Sequence, residues 1–139
     1  MATKENGVLV RLLSDLDTII KRIESKKKTL PEEYEQNWET QYLIERLIQN
    51  AVQCCLDIGA RIIAKEKLRV ARNYKDIFQA LQEGRKITPS LADKMTQLVH
   101  LRNELTHEYR DILPQEIFAA FQKIADPLKD FFKTIKKSP

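Results

Sequence analysis

The sequence predicts an all-α fold, an up-and-down bundle of four to five helices in a single domain over residues 1–139. Three observations predict it. Apolar residues recur at the three- and four-residue spacing of amphipathic helices through most of the chain. Three glycines and five prolines leave little punctuation for turns, so the elements must be long. No segment alternates apolar and polar residues in the manner of a half-buried strand. With 42% hydrophobic residues, a chain of 139 can fill one core.

The first helix is predicted from about Val8 to Lys27, where Leu9, Leu12, Leu13, Leu16, Ile19, Ile20 and Ile23 lie on one face. Thr29-Leu30-Pro31-Glu32 has the form of a capping box, so a short helical turn is expected through Tyr34. A second long helix should run from near Asn37 to about Glu66. Its stripe of Leu43, Ile44, Leu47, Ile48, Ala51, Val52, Cys55, Ile58, Ile62 and Ile63 is wide enough to cover several neighbours. Asp57 interrupts that helix, and an exposed ion pair with Arg61 is the simplest expectation. A short helix follows from Tyr74 to Gln82, with Gly84 as its stop. Ser90 is expected to cap a third major helix through Leu91, Met95, Leu98 and Leu101. Pro114 opens the last helix, with Ile117, Phe118, Phe121, Ile124, Leu128 and Phe131 inward. Long helices with apolar faces cover one another, which gives the bundle.

The net charge of +4 and isoelectric point near 9.1 favour a polyanionic partner without demanding one. Positive charge gathers at Lys26–Lys28, along Lys65 to Lys75, and at Lys133, Lys136 and Lys137; each cluster alone reads most simply as a solvated helix end. The opening Met1 to Gly7 has no apolar signal stretch, and no window approaches the ~20 apolar residues of a membrane span. A cytoplasmic protein with no membrane partner is expected. Cys54 and Cys55 are adjacent within a helix, badly placed for a mutual disulfide and too few for a structural zinc site, so reduced, partly buried thiols are expected.

Several chemistries are missing from the sequence: there is no Gly-rich phosphate loop, no paired-cysteine motif, no His-Glu-x-x-His and no clear carboxylate cluster. One segment concentrates reactive groups, with Arg102, Asn103, His107 and Tyr109 inside eight residues. Histidine titrates near neutral pH, so His107 is a candidate general base or acid. The guanidinium of Arg102 is a candidate phosphate clamp. An Arg–His pair without carboxylates suits a phosphodiester whose nucleophile is built in, as in RNA with its 2′-hydroxyl. On a continuous helix, positions five apart point ~140° apart. Arg102 and His107 therefore share a site only if the helix ends within the motif or a second copy completes it. His100 is read as a helix-surface residue.

Arg102-Asn103-x-x-x-His107-x-Tyr109 resembles the Arg-x-x-x-x-His-x-Tyr signature of the HEPN superfamily. The likeness extends to the HepT toxins through Gln49 to Gly59, through Asn73-Tyr74-Lys75-Asp76-Ile77-Phe78, and through Ile87-Thr88-Pro89, in order, over roughly Leu43 to Phe121. His100 and Thr106 depart from the residues usual in that family, and neither is a signature position. The resemblance implies a helical HEPN fold and a metal-independent endoribonuclease toxin with Arg102 and His107 catalytic, Asn103 supporting, and no cofactor of its own. It implies a homodimer with both motifs in one cleft. It also implies an MntA-like minimal nucleotidyltransferase antitoxin as partner, which uses ATP to place AMP on the motif tyrosine, here Tyr109. Two alternatives stay open: a catalytically silent HEPN module that binds nucleotide or RNA or serves a nucleotidyltransferase as a subunit, and a purely structural bundle.

Overall fold

The computed structural model describes residues 4–107 and 110–137. Seven α-helices appear among them: α1 (Lys4–Lys26), α2 (Pro31–Gln36), α3 (Trp38–Lys65), α4 (Ile77–Glu83), α5 (Pro89–Thr106), α6 (Pro114–Lys123) and α7 (Ala125–Lys137). A single 3₁₀ turn, Tyr74–Asp76, leads into α4. No strand occurs among the described residues, so the all-α expectation holds. The count exceeds the four to five helices expected, for two local reasons. The turn at Tyr34 is a complete short helix. The last element is broken at Ile124, because Pro127 has no N–H to offer the carbonyl of Lys123 and its ring crowds that carbonyl.

The long helix α3 is the hub, packing against α1, α2, α4, α5 and α6, while α7 closes on α1 and α5. Its inward stripe of Ile44, Ile48, Ala51, Val52, Cys55 and Ile58 is wholly buried, together with Leu16 of α1, Met95 of α5, Phe121 of α6 and Phe131 of α7. Phe78 and Phe131 meet edge to face at 5.6 Å. Each such large side chain contributes roughly 1.5–3 kcal/mol on burial. Leu43, expected in the stripe, is instead 41% exposed at its edge. Gly59 lets α4 come close: a Cβ there would lie 2.6 Å from the Cγ2 of Ile77.

The caps follow the prolines. Asn37, near which the second long helix was expected to start, caps α3, its Oδ1 accepting from Glu39 N and Thr40 N at 3.0 and 3.2 Å. Thr88, not Ser90, caps α5, accepting from Leu91 N at 3.1 Å, because Pro89 takes the first helical position. For the same reason the Thr29 box does not form: Pro31 opens α2 and puts the apolar Leu30 at the cap. Gly84 ends α4 without a left-handed φ; that conformation falls on Arg85 at φ 61°, and Lys86 N closes the turn on Leu81 O at 2.9 Å. Cys54 and Cys55 are free and buried, and burial pushes the Cys54 thiol up to about 12. Among the described residues no helix is long and apolar enough to cross a membrane.

Candidate active site at the end of α5

The motif sits where α5 stops. Thr106 is its last helical residue, and His107 is the C-cap, with φ −81° and ψ 139°. The helix thus ends within the motif. The ~140° offset between Arg102 and His107 belongs to a continuous helix and does not apply once the backbone turns extended at His107. The His107 N–H reaches Glu104 O at 3.3 Å, and the residue is exposed. Tyr109, the expected AMP acceptor, lies outside the described residues. His100 is exposed on α5, as expected.

Arg102 is half-buried and held from three sides. Its Nη2 donates to Gln53 Oε1 at 2.6 Å, its Nη1 donates to Asn103 Oδ1 at 3.1 Å, and its Cζ lies 5.3 Å from the centroid of the Tyr74 ring. Gln53 is itself oriented, since its Nε2 donates to Asp57 Oδ1 at 3.0 Å. Asp57 therefore faces Gln53 and makes no ion pair with Arg61, contrary to the expectation from sequence. A guanidinium carries five N–H donors, and these two bonds engage two of them. Among the described residues the arginine is oriented without being saturated, as a phosphate clamp requires.

The chain beyond the motif is pinned back on α3. Arg110 donates from Nη1 and Nη2 to the two carboxylate oxygens of Glu45 at 2.9 and 2.8 Å, with side-chain exposures of 29% and 13%. The same Nη1 reaches Leu105 O at 3.2 Å, and Gln49 Nε2 reaches that carbonyl at 3.3 Å. The Leu105 carbonyl, one of those left open at the end of α5, thus receives an amide and a cation, and a helix C-terminus favours positive charge. Gln49, Gln53 and Asp57 recur every four residues on α3, a polar ribbon of which Gln49 and Gln53 reach α5 and Asp57 orients Gln53. Sequence reasoning passed over Gln53, Tyr74, Glu45 and Arg110 as site residues, although Gln53 and Tyr74 lie in the segments that carried the family likeness. Among the described residues no three His, Cys, Asp or Glu side chains gather as a metal site would need.

Comparison with known proteins bears on this arrangement. The profile of the family described as Ribonuclease HepT-like matches residues 16–135. The chain belongs to the ribonuclease HepT-like family. The likeness expected over Leu43 to Phe121 therefore extends through nearly all seven helices. A tRNA nuclease HepT from Aphanizomenon flos-aquae is 35% identical over 89 residues, 64% of this chain and 60% of that protein's length. An mRNA nuclease HepT from Shewanella oneidensis is 23% identical over 131 residues, 94% of this chain and 98% of that protein. Among solved structures, a tri-AMPylated Shewanella oneidensis HEPN toxin in complex with MNT antitoxin superposes with a TM-score of 0.85 at 22% identity, over 93% of this chain and 96% of that one. That superposition establishes that this HepT-like chain has the HEPN toxin's fold.

Proposed function

We propose that this HepT-like chain is a metal-independent endoribonuclease, the toxin of a bacterial toxin–antitoxin pair acting in the cytoplasm. The observation that carries the reading is Arg102: a half-buried guanidinium fixed by Gln53, Asn103 and Tyr74, with donors to spare, five residues before an exposed histidine at a helix end. Family membership and the nuclease names of the two HepT relatives support it.

The chemistry then follows from the substrate's own nucleophile. The 2′-hydroxyl attacks the adjacent phosphorus as the P–O5′ bond breaks, leaving a 2′,3′-cyclic phosphate and a 5′-hydroxyl. His107 carries the proton, taking it from the attacking oxygen or giving it to the departing one. Arg102 holds the phosphate oxygens and neutralises charge that grows in the transition state, while Asn103 helps fix the guanidinium. Two chains are proposed to face their motifs into one cleft.

The partner is proposed to be an MntA-like nucleotidyltransferase antitoxin that transfers AMP from ATP to the Tyr109 hydroxyl; the AMPylated toxin of similar fold supports this. AMP on Tyr109, two residues from His107, would bring a phosphate to pair with Arg102 and an adenosine to occupy the space for RNA.

The test is to express the chain alone and with its neighbouring gene, then follow growth and RNA integrity. Arg102→Ala and His107→Ala should abolish cleavage while the protein stays helical, cleavage should survive EDTA, and a 2′-deoxy scissile position should resist. Wild type should gain AMP mass with the partner and ATP, and Tyr109→Phe should gain none. Equal cleavage by both alanine variants would overturn the site. A monomer at micromolar concentration would overturn the shared cleft, which mixing the two alanine variants probes further by complementation.

A further inference from the structure

We infer that the cavity between α3, the 66–73 connection and the start of α4 is a nucleobase subsite, holding the base attached to the phosphate that Arg102 grips. This rests on the ribonuclease reading above and adds to it where the substrate's base goes.

The cavity measures about 520 Å³ and is walled by Ala60 and Ile63 of α3, by Val70 and Ala71 of the connection, and by Asn73 and Tyr74. Its walls are apolar except for the Asn73 carboxamide and the Tyr74 hydroxyl. That suits a flat heterocycle, which wants apolar faces and a few polar atoms at its edge. Asn73 Oδ1 accepts from Asp76 N at 3.0 Å, and its NH₂ bonds to no described residue. The Tyr74 ring, 51% exposed, connects this cavity to the motif, because the guanidinium of Arg102 lies over the same ring at 5.3 Å. One aromatic ring separates the clamp from the cavity, just as one sugar separates a nucleotide's phosphate from its base.

Charge decides between a base and a protein side chain as occupant. Lys67, Arg72 and Lys75 are exposed on the segment that forms the cavity's outer wall, the Arg72 side chain at 84%. Exposed cations on the segment that supplies Val70, Ala71, Asn73 and Tyr74 to an apolar slot, next to a phosphate-gripping arginine, complement a base carried on an anionic backbone. An apolar side chain from a partner protein would find no use for those cations. The wall is also built in advance. Arg69 Nη1 meets Asp76 Oδ2 at 2.7 Å and Arg69 Nε meets Glu83 Oε1 at 2.9 Å, tying the connection to α4. Within the basic run from Lys65 to Lys75, which alone reads as a solvated helix end, Arg69 is thus a structural cation, while Lys67, Arg72 and Lys75 are exposed on the segment that walls the cavity.

The experiment fills the cavity without touching Arg102. Ala60→Phe projects from exposed α3 backbone into the slot, and Ala71→Leu does so from the opposite wall. Each chain is titrated by fluorescence anisotropy with a 2′-O-methyl oligoribonucleotide, uncleavable because it lacks the 2′-hydroxyl. Its sequence spans the cleavage point mapped with wild type. A second probe has an abasic sugar at the nucleotide flanking that point. Base–aromatic stacking predicts that filling the cavity weakens binding of the intact oligonucleotide roughly tenfold to a hundredfold. Wild type should lose a similar factor on the abasic probe, and the two losses should not add. Melting temperatures of the variants should match wild type, which keeps a misfolded chain from being read as a lost subsite. If both filled variants bind the intact probe as tightly as wild type, the subsite is wrong; the ribonuclease reading still stands provided Arg102→Ala has lost cleavage. If wild type neither binds nor cuts RNA, both fail together. If filling the cavity spares RNA binding but breaks association with a second copy or with the nucleotidyltransferase, the occupant is protein and the inference is overturned.

Discussion

Replacing Gln53 by leucine isolates the grip on Arg102. Leucine keeps the bulk of the side chain on α3 and removes both the acceptor for Arg102 Nη2 at 2.6 Å and the donor to Asp57 at 3.0 Å. Two opposite effects compete. Losing a charge-assisted bond from a half-buried guanidinium loosens the clamp, at about 1.5–3 kcal/mol. Freeing Nη2 gives phosphate one more donor, but three of the five already make no bond to a described residue, so that gain is small. The first effect should win. If the lost orientation is felt in the transition state, kcat/KM falls by roughly 10- to 150-fold at ~1.4 kcal/mol per decade. The assay is initial-rate cleavage of one RNA over a range of concentrations, with a thermal melt on the same samples. A positioning role predicts that kcat falls more than KM rises, and that Gln53→Glu, which keeps an acceptor for the arginine but loses the donor to Asp57, recovers only part of the loss. Gln53→Leu cleaving as fast as wild type, with its Tm unchanged, would sink the argument that this bond orients the arginine.

Three further outcomes are expected. Glu45→Gln breaks the bidentate pair with Arg110, leaving a partly buried cation held by Leu105 O; between exposed and buried pairs the cost is about 2 kcal/mol, seen as a Tm lower by roughly 4–8 °C and as slower cleavage by the adjoining His107. Gly59→Val puts three carbons where one already meets Ile77 Cγ2 at 2.6 Å, so overpacking of about 1–3 kcal/mol should lower Tm by several degrees, and a Tm at or above wild type would refute the close α3–α4 approach. In acid, the Arg69 guanidinium, and behind it the Arg72 N–H, hold the Asp76 carboxyl well below the usual carboxylate range. A depressed folded value means this stabilisation is present above the unfolded value near 4 and is lost as pH falls below it, so Asp76→Asn should flatten the decline in Tm between about pH 4 and pH 2.

The fold was legible wherever one strong local signal stood alone. The α3 stripe set that helix within a residue at each end. Where two signals competed, proline decided: Pro89 moved the α5 cap from Ser90 to Thr88, Pro31 displaced the Thr29 box, and Pro127 split the last helix. Rules for single positions do not rank such conflicts. The site divides in the same way. Arg102, Asn103 and His107 stand out by residue type, while Gln53 lies 49 residues from the Arg102 it holds and Glu45 lies 65 residues from its partner Arg110. Only packing brings those positions together. Asp57 was visible as a polar interruption of α3, yet the Gln53 that it orients toward Arg102 could not be read from α3 alone.

The placement of the two motif residues on α5 gives them different clocks. Arg102 belongs to the body of a helix backed by α3 and bonded to it, so its amide should exchange with solvent hydrogen only on opening of the bundle. His107 is past the last helical turn, its N–H reaching Glu104 O at 3.3 Å in an exposed position, and such end amides exchange through small local fluctuations. Deuterium uptake should therefore drop sharply between these two positions, five residues apart. The phosphate would be received by a group that holds still, and the proton moved by one free to follow the sugar as phosphorus passes from one oxygen to the next.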